Sequence, residues 1–279
     1  MSLGDKLLDI PEFYVYLVLL VLLVVPLIKP FGLPIALTET SRKYFNTVES
    51  LEPGTYVWVT HDAMSMTELE IGLSSHAVLK HLFQKEGIKI VIGCIVGEGP
   101  MFFEQTLKDV GAYEKYLEGY GTKYVYLPFV AGDEAAAAAL ATNIEKATGG
   151  VDYYGTKFED LPLMQEVNNA EDFEIIFCVD EPGWNSVIWM NQWAVPYNIP
   201  MYCNPLAGVS ASLWPYIEAG QIQSMLVGSK GAAEYELLMK APGRAVAGMD
   251  AQSLGHIFLL LLVLMANIVY GSKKVSGEK

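Results

Sequence analysis

The apolar stretch IKIVIGCIV, residues 88–96, decides the fold of this chain. It is an almost uninterrupted run of strand-forming residues, which is typical of a strand buried on both faces of a parallel sheet. The turn Gly97-Glu98-Gly99-Pro100 follows it, and a helical pattern begins at about Met101. A strand that leads through a short turn into a helix is one β-then-α unit, so this stretch predicts an α/β fold.

The same unit recurs on both sides of this stretch. Five further strand-like runs each precede a helical pattern, at residues 55–60, 124–130, 173–179, 200–203 and 223–227. Six β-then-α units joined by right-handed crossovers predict a doubly wound, Rossmann-like three-layer sandwich with a mostly parallel sheet.

Two apolar segments enclose this domain, at residues 13–28 and 257–270, and neither contains a charged residue. An unpaired charge is costly in hydrocarbon, so uncharged runs of this kind predict transmembrane anchors in a lipid bilayer. The second run is shorter than the roughly 20 residues of a spanning helix, which leaves open a helix that packs on the first anchor or lies at the interface. The predicted division is an anchor at 1–30, the α/β domain at 31–253, a transmembrane helix at 254–272 and a basic tail at 273–279.

The charges that flank the anchors favour opposite orientations. Acidic residues precede the first anchor, and Lys29, Arg42 and Lys43 follow it, which favours a domain on the cytoplasmic face. Lys273 and Lys274 in the tail favour a cytoplasmic tail instead, which would put the domain outside. Because the first anchor usually dominates, we expect an integral membrane protein with its domain on the cytoplasmic face.

The charge of the chain excludes some classes of partner. The sequence has 18 Lys and Arg against 32 Asp and Glu, and the lysines of the domain are scattered singly, so it lacks the basic stripe that binds nucleic acid. The turn at Gly97 lacks the third glycine of a dinucleotide fingerprint and places Glu98 where phosphate would lie, so no nucleotide cofactor is expected.

His76 and His81 are five residues apart and do not form a zinc pair, so no metal is expected. The three cysteines, in apolar runs, are expected to be buried thiols.

The carboxyl ends of the predicted strands carry the candidate ligand-binding residues, because open parallel sheets bind ligands there. These candidates are His61, Asp62, Glu98, Asp133, Asp180, Glu181, Trp184 and Asn204. Several acids around one crevice suit a cation, a polyol or an amine, and crowding would raise the pKa of one of them. The alternative is helix capping, which predicts cap roles for Asp62, Ser65, Asp133 and Ser229 and a capping box between Ser65 and Glu68. Trp189 and Trp193 share one helix face, which fits a pocket, a subunit contact or plain core packing.

Polar residues near the last anchor are the candidate assembly residues: Glu234, Glu236, Gln252, His256 and Asn267. An amide inside an apolar segment needs a polar partner, which a neighbouring helix can supply, so Asn267 is the strongest of these candidates. The alternative is that the polar residues before the anchor simply face lipid headgroups.

The end of the domain resembles a family of bacterial and archaeal membrane proteins that has no known activity. The resemblance rests on GQIQSMLVGSKGAAEYE at residues 220–236, MDAQS at 249–253, Gly255-His256 and Asn267, and it extends to LEPG at 51–54, the Glu68 helix and HLF at 81–83. It implies a Rossmann-like domain between membrane anchors and brings no catalytic residue or cofactor. The chain departs from the family at His61 and Asp62, where an acid and an aromatic are expected, which weakens a catalytic role for His61.

Two functions follow from these features. The preferred one is a non-catalytic, membrane-anchored subunit of a homo- or hetero-oligomeric assembly that binds a small ligand at the strand-end crevice. The sequence has no activated nucleophile, metal set or nucleotide loop to support catalysis. The alternative is a membrane-bound hydrolase that uses the carboxylates of the strand ends, with or without a divalent cation.

Overall fold

A computed structural model describes residues 10–62, 64–109, 118–179 and 184–275. The described residues form two compact units, one made of 10–34 with 242–275 and one of 35–241. We call the first the two-helix unit and the second the α/β domain.

The α/β domain contains one six-stranded sheet in which all strands are parallel. The strands are β1 Tyr56–His61, β2 Lys89–Cys94, β3 Tyr124–Phe129, β4 Ile175–Val179, β5 Met201–Cys203 and β6 Ser224–Met225. Their order is β3-β2-β1-β4-β5-β6, which is the strand order of a Rossmann fold. The predicted α/β class and parallel sheet are therefore confirmed, and the strand order reverses between β1 and β4.

Helices connect the strands and flank the sheet. The α-helices are α1 Glu12–Ile28, α2 Glu39–Glu49, α3 Leu73–Gln84, α4 Gly99–Asp109, α5 Glu134–Thr142, α6 Ile144–Thr148, α7 Trp184–Trp189, α8 Val195–Tyr197, α9 Ser210–Glu218, α10 Gly228–Leu238 and α11 Arg244–Val275. A π-helix, Glu68–Gly72, precedes α3, and a second, Met190–Ala194, joins α7 to α8. Short 3₁₀-helices lie at Phe158–Asp160, Pro162–Gln165 and Ala170–Asp172.

Alternation along the buried strands divides the core into two layers. Val57 and Val59 lie in the layer under α2, α3, α4 and α10, and Trp58 lies in the opposite layer with α5, α7 and α9. Trp58 stacks on Trp193 with ring centroids 4.2 Å apart, and it approaches β2 so closely that a Cβ on Gly93 would lie 2.3 Å from its ring. The tryptophan face predicted from the sequence is therefore core packing.

In the two-helix unit, α1 and α11 run antiparallel. Leu23 lies 3.2 Å from the position of a Cβ on Gly255, while the residues after α1 meet Asp250, which is earlier in α11. The Asp250 carboxylate is buried and accepts backbone hydrogen bonds from residues 31, 32 and 33 at 2.6, 2.9 and 2.8 Å. Charge-assisted bonds of this kind are among the stronger protein hydrogen bonds, so they fix the exit of α1 against α11.

One helix among the described residues is long and apolar enough to cross a membrane, namely α11. It begins at Arg244, earlier than the anchor expected from residue 254. Helix α1 is apolar but has only 17 residues. Asn267 donates from Nδ2 to the Val263 carbonyl of its own helix at 2.8 Å, which uses one of its two amide hydrogens. Its contact with a neighbouring helix stays a prediction.

Replacing Asp250 with Asn should loosen the segment that follows α1. Asparagine keeps the size of aspartate but has one acceptor oxygen and points an NH₂ group at backbone donors. We expect amide hydrogen exchange at residues 31–33 to accelerate about 10- to 100-fold, because one or two charge-assisted hydrogen bonds are lost. Gln252→Ala, at an exposed position of the same helix, is the control and should leave these amides unchanged. Unchanged exchange in Asp250→Asn would mean that the carboxylate does not hold this segment.

Candidate functional site

The carboxyl ends of β1, β4 and β5 bring two of the predicted residues into one row. His61 pairs in register with Val179, and Cys178 pairs with Cys203, so Asn204 continues the row beyond β5. Neighbouring strands are about 4.8 Å apart, which places the backbones of His61 and Asn204 about 10 Å from each other. Alternation directs both side chains to the same face of the sheet.

Asn204 is the most unusual residue of this row. It is fully buried, and neither the nitrogen nor the oxygen of its carboxamide has a hydrogen-bond partner among the described residues. Burial of an unpaired polar group costs about 1–3 kcal/mol in proteins. A donor and an acceptor held together in this way fit a molecule that carries both a donor and an acceptor.

His61 is also fully buried, at the last position of β1. Its Nε2 lies 3.3 Å from the Thr106 hydroxyl on α4, and the edge of its ring meets Phe103. Burial, together with the nearby His76, lowers the pKa of His61 to about 3. The imidazole is therefore neutral at physiological pH and is a poor general base, because a base with so low a pKa takes up a proton reluctantly.

Asp62 points to the opposite face of the sheet and is already occupied. Its carboxylate accepts from the Ile95 backbone at 2.8 Å, from Trp189 Nε1 at 2.9 Å and from Asn185 Nδ2 at 3.4 Å. Burial raises the pKa of Asp62, although these hydrogen bonds oppose the increase. The residue ties the ends of β1 and β2 to α7, and it neither caps a helix nor faces the row of His61 and Asn204.

Residues 64–72, which we call the covering segment, connect the strand ends to each other. The Ser65 backbone donates to Glu98 Oε2 at 2.8 Å in the turn after β2, and this bond lowers the pKa of Glu98. Glu70 Oε1 accepts from the Ala207 backbone at 2.7 Å in the loop after β5. Gly228 has φ 52° and leaves room for this carboxylate, since a Cβ there would lie 2.6 Å from Glu70 Oε1. The covering segment therefore reaches from β1 to the loops after β2, β5 and β6.

The other ligand-binding candidates do not join this row. Asp133 is exposed after the edge strand β3, about 19 Å from β5 by strand spacing. Trp184 begins α7 and is half-exposed. Asp180 and Glu181 lie outside the described residues. Within the described part of the chain, no three His, Cys, Asp or Glu side chains are arranged to hold a metal.

The capping alternative is wrong for the residues it named. Asp133 precedes α5 but makes no side-chain bond to it, and α10 begins at Gly228 rather than after Ser229. The π-helix that starts at Glu68 has Thr67 at its cap position and no capping hydrogen bond, so the predicted capping box is absent. Asp62 and Glu98 instead bond to segments that follow other strands.

The assembly candidates divide into two groups. Glu234 is buried and accepts from the backbone and hydroxyl of Thr38 at 2.9 and 2.6 Å and from Lys230, so it holds the start of the α/β domain on α10. Burial opposes ionisation of Glu234, but hydrogen bonds from Lys230, Thr38 and Ser41 outweigh it and lower its pKa. Glu236 is also buried. Gln252, His256 and Asn267 are exposed on α11.

Three residues of these contacts were not predicted from the sequence. Thr106, Glu70 and Asp250 each meet a partner far away in the chain, at separations of 45, 137 and 217–219 residues. Local patterns carry no signal for such pairs. Asp250 is one of the polar residues before the last anchor, where an unpaired group is costly, but the sequence does not identify residues 31–33 as its partners.

Comparison with protein-family models, with curated proteins and with solved structures finds no match for this chain. The resemblance to a membrane-protein family therefore stays a prediction, and the candidate site is argued from geometry alone.

The neutral His61 should make the protein less stable in acid. Its pKa is about 6.5 when unfolded and about 3 when folded, so the unfolded state binds more protons between these values. The contribution to stability is complete above pH 6.5 and is lost as the pH falls toward 3. Between pH 7 and pH 5 this histidine should lower the unfolding free energy of the parent protein by about 2 kcal/mol. The variant His61→Phe should lack this decrease, and urea unfolding at the two pH values measures the difference.

Thr106→Val is the matched control for this measurement. It removes the hydroxyl beside the ring and keeps the buried imidazole, so the pH dependence of the parent should persist. If His61→Phe keeps the full decrease between pH 7 and pH 5, burial does not hold this ring neutral.

Proposed function

We propose that this chain is a non-catalytic, membrane-anchored binding subunit. Its α/β domain binds a small, uncharged polar ligand at the carboxyl ends of β1, β4 and β5. The observation that carries this proposal is the buried carboxamide of Asn204, which has no partner among the described residues. A ligand that forms hydrogen bonds with this amide would remove the cost of burying it unpaired.

The position of Asn204 supports the same function. Rossmann-like sheets bind ligands beyond the carboxyl ends of their strands, near the point where the strand order reverses, and that point lies between β1 and β4. His61 and Asn204 flank it on one face of the sheet. A neutral imidazole and a carboxamide both form hydrogen bonds without a charge, which suits an uncharged ligand.

The hydrolase alternative receives less support from these contacts. A carboxylate mechanism needs acids that are gathered and accessible, whereas Asp62 is buried and accepts three hydrogen bonds on the other face. His61 is a weak base. Binding without chemistry is therefore the function that this arrangement supports best.

The surface of the two-helix unit supports anchoring in a bilayer. Large apolar side chains are exposed along both α1 and α11, for example Phe13 at 67%, Leu20 at 57% and Leu260 at 64%. Exposed apolar surface of this extent requires cover, and a lipid bilayer provides it along the whole length of both helices. We propose that α11 spans the membrane with α1 antiparallel beside it, and that the α/β domain, with its three buried thiols, faces the cytoplasm.

Assembly into an oligomer is the remaining part of the proposal. Gln252 and His256 are exposed on α11 next to its apolar stretch, and a second helix would give them partners away from lipid. Glu234 and Glu236 do not contribute, because both are buried in the α/β domain.

Replacing Asn204 with Val tests the binding site. Valine removes both unpaired polar atoms, so the unfolding free energy of the ligand-free protein should rise by about 1–3 kcal/mol, while ligand binding is lost. Chemical unfolding measures the first effect, and thermal shift with a panel of polyols and amides measures the second. Ser74→Ala is the matched control. It removes a buried hydroxyl that does have a partner, the Ile71 carbonyl at 2.7 Å, and should lower stability by about 0.5–1.5 kcal/mol.

The proposal fails if Asn204→Val is destabilised as much as Ser74→Ala and the panel produces no thermal shift in the parent. The first result would mean that the amide is paired after all, and the second that the site binds none of these ligand classes.

A lysine in each helix of the two-helix unit tests the anchors separately. At the centre of a spanning helix a lysine costs about 2.5–3.5 kcal/mol of insertion free energy, so Leu260→Lys in α11 should reduce the fraction that resists alkaline carbonate extraction. Leu20→Lys does the same for α1. Val195→Lys, on the exposed α8 of the α/β domain, is the control. An effect of Leu260→Lys alone would mean that only α11 spans, and no effect of either would contradict anchoring.

A further inference from the structure

Exposed apolar side chains concentrate around the strand ends of the α/β domain. In the described part of this domain eight large apolar side chains are exposed: Met66, Leu69, Met101, Phe129, Tyr154, Trp184, Val195 and Trp214. Five of them, Met66, Leu69, Met101, Phe129 and Trp184, lie at or just after the carboxyl end of a strand. We call these five the apolar rim. Its members on the covering segment are the most exposed, with Met66 at 78% and Leu69 at 86%.

The apolar rim is continuous with the row that contains Asn204. Phe129 lies 3.8 Å from the position of a Cβ on Gly97, which joins the ends of β3 and β2. The covering segment, with Met66 and Leu69, then leads to Ala207, whose backbone N–H donates to the Glu70 carboxylate. Ala207 is three residues after Asn204. A buried polar group and an exposed apolar surface are thus two parts of one edge of the sheet.

Charge limits what this edge can bind. No lysine or arginine occurs in the described residues that follow β1 to β5, at 62, 64–72, 95–98, 130–133, 184–189 and 204–209. Lys230, which follows β6, is paired with Glu234. Glu98 and Asp133 add negative charge to the same edge. An anionic head such as a phosphate or carboxylate would therefore be repelled, and a cation would lose its hydration beside a neutral amide at a fully buried position. An uncharged head that both donates and accepts hydrogen bonds matches Asn204 best.

We propose that this site binds an uncharged amphiphile, with a hydroxyl or carboxamide head paired to Asn204 and an apolar body laid against the apolar rim. The inference rests on the proposed binding function and adds the chemical class of the ligand. Methionine side chains adapt to varied apolar shapes, which suits Met66 and Met101 to a flexible body. Because Asn204 is fully buried, a neighbouring segment must move before the head can enter. We assign this movement to the covering segment, because Glu70 accepts from Ala207, three residues after Asn204.

Two other occupants of the apolar rim fit the charges less well. A second copy of this chain, with a net charge of −14, would bring acidic residues toward Glu98 and Asp133. A bilayer surface is usually met by apolar residues accompanied by lysine or arginine, which the described residues of these loops lack. Neither occupant explains the unpaired amide of Asn204.

The test uses the full chain in phosphatidylcholine nanodiscs, with empty nanodiscs subtracted to correct for partitioning. The probes are glycerol, monodecanoylglycerol, decanamide and decanoate, and binding is measured by equilibrium dialysis. We expect monodecanoylglycerol and decanamide to bind at least about tenfold more tightly than glycerol, because the decyl chain is removed from water. Decanoate, which has the same chain and a charged head, should bind at least about tenfold more weakly than decanamide.

Variants assign the two parts of the ligand to the two parts of the site. The double variant Met66→Gln with Leu69→Gln should weaken monodecanoylglycerol about tenfold and leave glycerol unchanged, since it removes apolar contact only. Asn204→Val should weaken both probes. Val195→Gln, at an exposed apolar position outside the apolar rim, is the control and should bind both as the parent does.

The outcomes separate this inference from the proposed function. Equal binding of glycerol and monodecanoylglycerol, or parental binding by the double variant, overturns the amphiphile and leaves a small polar ligand. No binding of any probe overturns both. If the double variant instead changes the mass of the particle from a dimer to a monomer, a second copy covers the apolar rim and the amphiphile is wrong.

Discussion

The constraint on which the rest of this structure depends is the burial of both faces of a parallel sheet. Each strand must supply apolar side chains to two layers in turn, so neighbouring residues necessarily point in opposite directions. On β1 this alternation sends Trp58 into one layer and Val57 and Val59 into the other. At the end of the strand it separates His61 from Asp62. Two adjacent polar residues that look like a pair in the sequence therefore act in different layers with different partners.

The same alternation explains which parts of the fold could be predicted from the sequence. The run at residues 88–96 is apolar because β2 is buried on both faces. Such a strand can be predicted from its own residues, without knowing which strands lie beside it. Strand β6 keeps only Ser224 and Met225 of the predicted 223–227, because it pairs only with β5, which is itself three residues long. The tryptophans of α7 and the following π-helix were placed on one face correctly, but their role in the core depends on Trp58, which comes from a distant strand.

The candidate site was predictable only in part. Asn204 and His61 could be placed at strand ends, since position in the chain follows from the β-then-α pattern. Their alignment could not, because it depends on the registers of β1 with β4 and of β4 with β5. The cap roles assigned to Asp133 and Ser229 were wrong for a related reason. Local spacing identifies residues that can cap a helix, whereas the tertiary structure decides where their side chains point.

The bonds between Asp250 and residues 31–33 join two points of the chain that are 217 to 219 residues apart. The α/β domain is therefore an insertion between two paired helices. If these helices pair before the sheet forms, they hold the two ends of the inserted chain together. Closing a chain in this way reduces the conformations open to its unfolded state, as a covalent cross-link would. The paired helices would then act on the α/β domain as a non-covalent staple, and part of its stability would come from a unit that shares none of its core.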